Sequence, residues 1–167
     1  MNPVQERFLE LRSRSSTQLV IYPASRTSSN PLYSWGYADC NGVALLSDGF
    51  AGLTHYDLNR GQPENYLNEL ITSMRVKGHP PTTAIAIGGD NRHLRRNLMV
   101  LGKRGIPIAR IHADGWDTLG KFTTETFNQL KQKKERLEVG IKDIIVVPET
   151  GEVLLNILNT GEFRRLH

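Results

Sequence analysis

The chain has 167 residues, 38% hydrophobic and 23% charged, with a formal net charge of +4. That balance fits one folded domain with its own core and excludes a disordered or low-complexity chain. No apolar run approaches the roughly 18 residues of a membrane-spanning helix, and a lone cysteine, Cys40, cannot form an internal disulfide.

A chain that needs no disulfide suits a reducing, cytoplasmic setting, although delivery to another cell or compartment stays open. Met1 to Arg14 lacks the apolar stretch of a secretory signal.

In chain order, Val4, Phe8 and Leu11 fall at helical spacing within Pro3–Leu11. Leu19–Tyr22 reads as a short strand, and the Ser-, Thr- and Asn-rich stretch Pro23–Pro31 as a loop. Asn41–Ser47 and Phe50–Tyr56 read as two strands joined by Asp48-Gly49, a strong hairpin signal. Pro63–Lys77 carries a stripe of Tyr66, Leu67, Leu70, Ile71 and Met74 and reads as an amphipathic helix. Ala84–Ile87 reads as a buried strand, Gly88-Gly89 as a turn, and Asp90 as the cap of a helix that ends near Arg104. Gly105 stops that helix before a strand at Ile106–Ile111. Thr123–Leu137 reads as a further helix, and Ile141–Val147 with Glu152–Leu158 as a terminal hairpin. The expectation is an α/β fold of the α+β kind, a mixed or antiparallel sandwich-like β core flanked by helices. The first hairpin lies centrally in it, because both of its faces are apolar or small.

That hairpin carries the candidate chemistry. With Asp48 and Gly49 as the two turn residues, Ala44 faces Leu53 and Gly42 faces His55. Cys40 then lies on the same sheet face as His55, as its diagonal neighbour, and Gly42 leaves the space over the ring open. A register slip of one residue would separate the pair. A thiol beside an imidazole suits nucleophilic catalysis: the imidazole accepts the thiol proton and later donates to a leaving group. The same register places Asp57 opposite Cys40, where a carboxylate opposes thiolate formation. Against this stands a buried structural thiol, the commoner fate of a free cysteine.

The residues around the pair add to the case. Ser34-Trp35-Gly36-Tyr37-Ala38-Asp39-Cys40 resembles the approach to the nucleophile in the CheD-type chemoreceptor glutamine deamidases, with Ser34 where the family has Thr and Gly36 where it has Gly. Val43, Leu45 and Asp48 continue its pattern, and Ala51–Leu58 resembles the segment around its His. Further likeness runs through Gly88-Gly89, Arg96-Asn97, Gly105–Ile108, Asp114-Gly115 and Glu149–Val153, covering roughly Ser34–Leu158. The departures are Ala38-Asp39 in place of Gly-Ser, Tyr-Asp after the His, and a segment at about Thr118–Gly140 that reads as an insertion. The Cys–His pair on neighbouring strands is also similar to the catalytic domain of cytotoxic necrotizing factor. The resemblance implies a CheD-like fold and hydrolysis of a protein glutamine side chain to glutamate. Cys40 would be the nucleophile, His55 the acid–base and Ser34 the group that orients His55. It implies no cofactor, and a glutamine-bearing protein as partner.

Other features are weaker. His79, His93, His112 and His167 lack metal-ligand spacing, and no metal is expected. Gly88-Gly89-Asp90-Asn91 reads as punctuation before a helix rather than a phosphate site. Trp116 fits a cleft rim or a packed loop equally. Arg92, Arg95, Arg96, Lys103 and Arg104, with Lys131, Lys133, Lys134 and Arg136, read as solvated helix faces, and the modest excess of charge does not point to nucleic acid. No membrane insertion is expected. Two alternatives remain, a protein-binding module of the same fold without catalysis and, less favoured, a basic nucleic-acid-binding domain.

Overall fold

The computed structural model describes residues 1–37, 40–57, 62–112, 141–158 and 160–167. The expected helix at 123–137, the insertion at 118–140, Asp114-Gly115, Trp116, Ala38-Asp39, Leu58 and the second basic group lie outside the described residues.

Three helices and ten strands form the described fold, an α+β architecture: α1 (Pro3–Ser13), β1 (Gln18–Leu19), β2 (Ala24–Ser28), β3 (Leu32–Tyr37), β4 (Gly42–Ser47), β5 (Phe50–His55), α2 (Pro63–Val76), β6 (Thr83–Ile87), α3 (Asn91–Lys103), β7 (Ile108–His112), β8 (Lys142–Val147), β9 (Glu152–Ile157) and β10 (Glu162–Arg165). The strands make two open five-stranded sheets, ordered β1-β3-β8-β9-β10 and β2-β5-β4-β6-β7. The hairpin β4–β5 is internal to the second sheet, as its apolar faces require. No helix among the described residues is long and apolar enough to cross a membrane.

Alternation along the strands explains the layering. Ala44, Leu46, Leu53, Ile85 and Ile87 of one sheet meet Leu32, Ile144, Val146, Val153 and Leu155 of the other in a shared core. The alternate residues Val43, Leu45 and Ala84 face outward onto Leu67, Leu70, Ile71 and Met74 of α2 and Val100 and Leu101 of α3. On the far side, Ile145, Val147 and Leu154 are covered by Phe8 and Leu11 of α1. Both sheets are thus buried on two faces, which is why β4, β6 and β8 read as unbroken apolar runs. Two of the three described helices start at a side-chain cap. The Asn2 side chain accepts from Gln5 N at 2.8 Å, and that of Asp90 from Arg92 N at 2.8 Å.

Four elements differ from expectation. The Pro23–Pro31 stretch is not a loop throughout: Ala24–Ser28 is edge strand β2, paired antiparallel to β5 from Ala24↔His55 to Ser28↔Ala51. Short Ser and Thr side chains hydrogen-bond well in turns, which hides a half-exposed edge strand in composition alone. The strand expected at Leu19–Tyr22 is only Gln18–Leu19, parallel to β3. β3 and β10 carry no sequence signal comparable to the hairpins and were not expected.

Candidate active site

The β4–β5 hairpin has the register its turn predicts: Ser47↔Phe50, Leu46↔Ala51, Leu45↔Gly52 and Ala44↔Leu53, with a further bridge Asn41↔Tyr56. Gly49 takes φ +64, a conformation that suits glycine in a two-residue turn. Cys40 packs in the core between the sheets, and His55 turns to the same side, where it meets β3 of the other sheet. The two side chains therefore share a face.

A β-bulge in β3 brings two more side chains to His55. Ser34 pairs with Ile144 and Tyr37 with Lys142, three residues on one strand against two on the other. Gly36, at φ +77, sits in this bulge, and its N–H donates to Asp143 Oδ1 at 3.1 Å. Ser34 and Tyr37 are three apart and would point to opposite faces of a regular strand. With the bulge, both are fully buried against His55. The Tyr37 ring stacks on the imidazole, centroids 3.7 Å apart and planes at 11°, and its hydroxyl donates to the Thr54 carbonyl at 2.8 Å. A Cβ on Gly42 would lie 2.9 Å from Tyr37 Cε1 and 3.1 Å from Ile144 Cδ1, so only glycine leaves room for this stack. Tyr22 meets the imidazole edge-on at 5.3 Å.

The hydrogen bonds set the tautomer of His55. Ser34 Oγ–H donates to the Val20 carbonyl, which leaves the Oγ lone pairs for His55 Nδ1–H at 2.9 Å. Nε2 is then the bare, basic nitrogen. It is buried and has no hydrogen bond to any described group, Cys40 included. Burial pushes the His55 pKa down to about 4, opposed by the Asp57 carboxylate, so the ring is neutral at physiological pH. Asp57 Oδ2 accepts from Tyr22 Oη–H at 2.7 Å.

Behind Cys40, Asn41 ties the hairpin to α3. Its neighbours fix the amide orientation: with the NH₂ towards His93 Nδ1 at 3.2 Å and the Asp90 carbonyl at 3.3 Å as donor, its oxygen accepts from Gly89 N and Leu94 N, each at 3.2 Å, whereas the opposite orientation would set acceptor against acceptor. His93 is fully buried, which likewise lowers its pKa to about 4. Gly88-Gly89-Asp90 is turn and cap, as read from the sequence, and Arg92, Arg95, Arg96 and Lys103 are exposed on α3.

The structure thus brings the three predicted site residues, Cys40, His55 and Ser34, to one side of the hairpin, with Ser34 bonded to His55. Cys40 is 7% exposed and lies within the inter-sheet core. Tyr22 and Tyr37 were missed as partners of His55. Gly36 was the available signal for Tyr37, because a glycine within a strand often marks a bulge that changes side-chain parity. Among the described residues no three of His, Cys, Asp and Glu gather as a metal-binding group.

Comparison with protein-family models and with curated proteins finds no match to this chain.

Proposed function

We propose that the protein is a cysteine-dependent hydrolase that deamidates protein glutamine side chains. One observation carries the reading. Ser34 holds His55 in the tautomer with a bare Nε2, on the face that Cys40 shares. This is the arrangement of base and orienting group that thiol activation needs. The choice of glutamine follows from the likeness of the 34–58 segment to the CheD-type deamidases.

In the reaction, Cys40 Sγ attacks the carboxamide carbon as its proton passes to His55 Nε2. Because His55 rests neutral, proton transfer accompanies attack instead of preceding it as a standing thiolate–imidazolium pair. The tetrahedral oxyanion collapses when His55 returns the proton to the nitrogen, releasing ammonia and leaving a thioester on Cys40. Water, deprotonated by His55, attacks the thioester, and glutamate leaves with the thiol restored.

The burial of Cys40 favours a second reading, a partner-binding module of this fold whose thiol is only core. Incubation with glutamine-bearing proteins separates the two. The deamidase adds about 1 Da per modified site and releases ammonia, as hydrolysis through the thioester requires. Its Cys40→Ser variant stays folded and does neither. A Cys40→Ser variant that is folded and fully active would refute the mechanism. Collapse of the fold in Cys40→Ser would mark the thiol as core.

A further inference from the structure

The third member of the site is a neutral hydroxyl. When His55 takes the proton from Cys40, a positive charge appears in a buried place, and Ser34 offers it only a lone pair. In Ser-His-Asp hydrolases a buried carboxylate meets that need. Asp57 is placed to do so. It follows the Asn41↔Tyr56 bridge, where the register sets it opposite Cys40. It is 9% exposed, so its charge is weakly screened. Its Oδ2 is tethered at 2.7 Å to the hydroxyl of Tyr22, and the ring of Tyr22 stands edge-on to His55 at 5.3 Å and 60°. One tyrosine thus touches both the imidazole and the carboxylate.

We infer that Asp57, held by Tyr22, is the counter-charge for the His55 imidazolium that forms as Cys40 is deprotonated. This rests on the Cys40–His55 reading proposed above and deepens it. Asp57 acts through His55, so it is a positioning residue and not a catalytic one. The field of Asp57 at His55 already favours the protonated ring against the effect of burial.

The test uses acylation of Cys40 by p-nitrophenyl acetate. Sulfur attacks the acetyl carbon, the thiol proton passes to Nε2 and p-nitrophenolate leaves as a burst of one per chain, with Cys40→Ser as the blank. Asp57→Asn keeps an acceptor for Tyr22 and removes the charge. The expected result is a burst about tenfold slower, the rate equivalent of one pKa unit, because the proton leaves sulfur during attack and the carboxylate meets the lasting imidazolium rather than a standing thiolate. Asp57→Glu recovers most of the rate, and Tyr22→Phe falls between. In a His55→Ala background, Asp57→Asn changes nothing further, which a merely structural role would not reproduce. An unchanged burst in Asp57→Asn, or equal slowing with and without His55, overturns the inference while leaving the Cys–His reading intact. A His55→Ala chain that bursts at the full rate ends that reading, and this inference with it. If Asp57→Asn does not fold, Tyr22→Phe decides. Slowing that depends on His55 supports the inference, and no change overturns it.

Discussion

At the scale of single residues, the site is defined by which atom of His55 each neighbour holds. Ser34 occupies Nδ1, Tyr37 one face of the ring and Tyr22 its edge, so the imidazole has little freedom except at Nε2. The histidine side-chain nitrogen spectrum at pH 7 should therefore show a neutral ring protonated at Nδ1. A proton on Nε2 instead would mean that Ser34 does not orient the base. Ser34→Ala should keep the fold and slow turnover about five- to tenfold, the rate equivalent of a lost hydrogen bond of ~1 kcal/mol. On the proposed hydrolase reading, Cys40→Ser and His55→Ala should abolish turnover, because that reading makes them the nucleophile and the carrier of both proton transfers. If Ser34→Ala proves as severe as His55→Ala, the hydroxyl does more than position the ring.

At the scale of elements, two glycines shape the site by different means. Gly36 lies in the β3 bulge with a left-handed backbone, so Gly36→Ala strains the bulge by about 1–2 kcal/mol. Gly42 has no such backbone demand, but its missing side chain makes room for Tyr37. Gly42→Ala drives a methyl into that ring and should cost about 1–3 kcal/mol by overpacking. Urea midpoints of the two variants, read beside the acylation burst, check both points. Each should lose stability, and Gly42→Ala should also slow the burst by displacing the ring stacked on His55. A Gly42→Ala chain as stable as the parent would mean that the inter-sheet core yields more than a close-packed one does.

At the scale of the whole molecule, buried histidines tie stability to acid. His55 and His93 are held to pKa values of about 4, and the half-buried His112 likewise, against 6.5 for a free side chain. The sign follows from linkage. Below 6.5 the unfolded chain takes up protons that the folded chain refuses, so this stability is complete above pH 6.5 and lost as pH falls toward 4. The slope for each deeply buried histidine approaches about 1.4 kcal/mol per pH unit. Asp143, pushed up by its own burial, works in the opposite sense, since the folded chain takes its proton first. Urea unfolding between pH 7 and 4 should show a falling midpoint, shallower in a folded His55→Ala variant. A flat profile would mean that these rings protonate in place without cost to the fold.

The α+β character, the three described helices and the placement of Cys40 and His55 on one face were legible in the sequence, for local reasons. Helix periodicity, the Asp90 cap and the Asp48-Gly49 turn act over a few residues, and a two-residue hairpin turn sets the side-chain parity of both strands at once. The choice of Ser34 as a candidate site residue came from family likeness, not spacing, because 21 residues and a change of sheet separate it from His55. Only the tertiary structure decided the rest. It turned a polar stretch into edge strand β2, because β5 offered it a free ladder. It placed Tyr37 on the imidazole through a one-residue bulge and tied Asp57 to Tyr22 from 35 residues away. Such contacts arise where two sheets close on one another, and parity read along a single strand cannot anticipate a bulge or the far wall of the core.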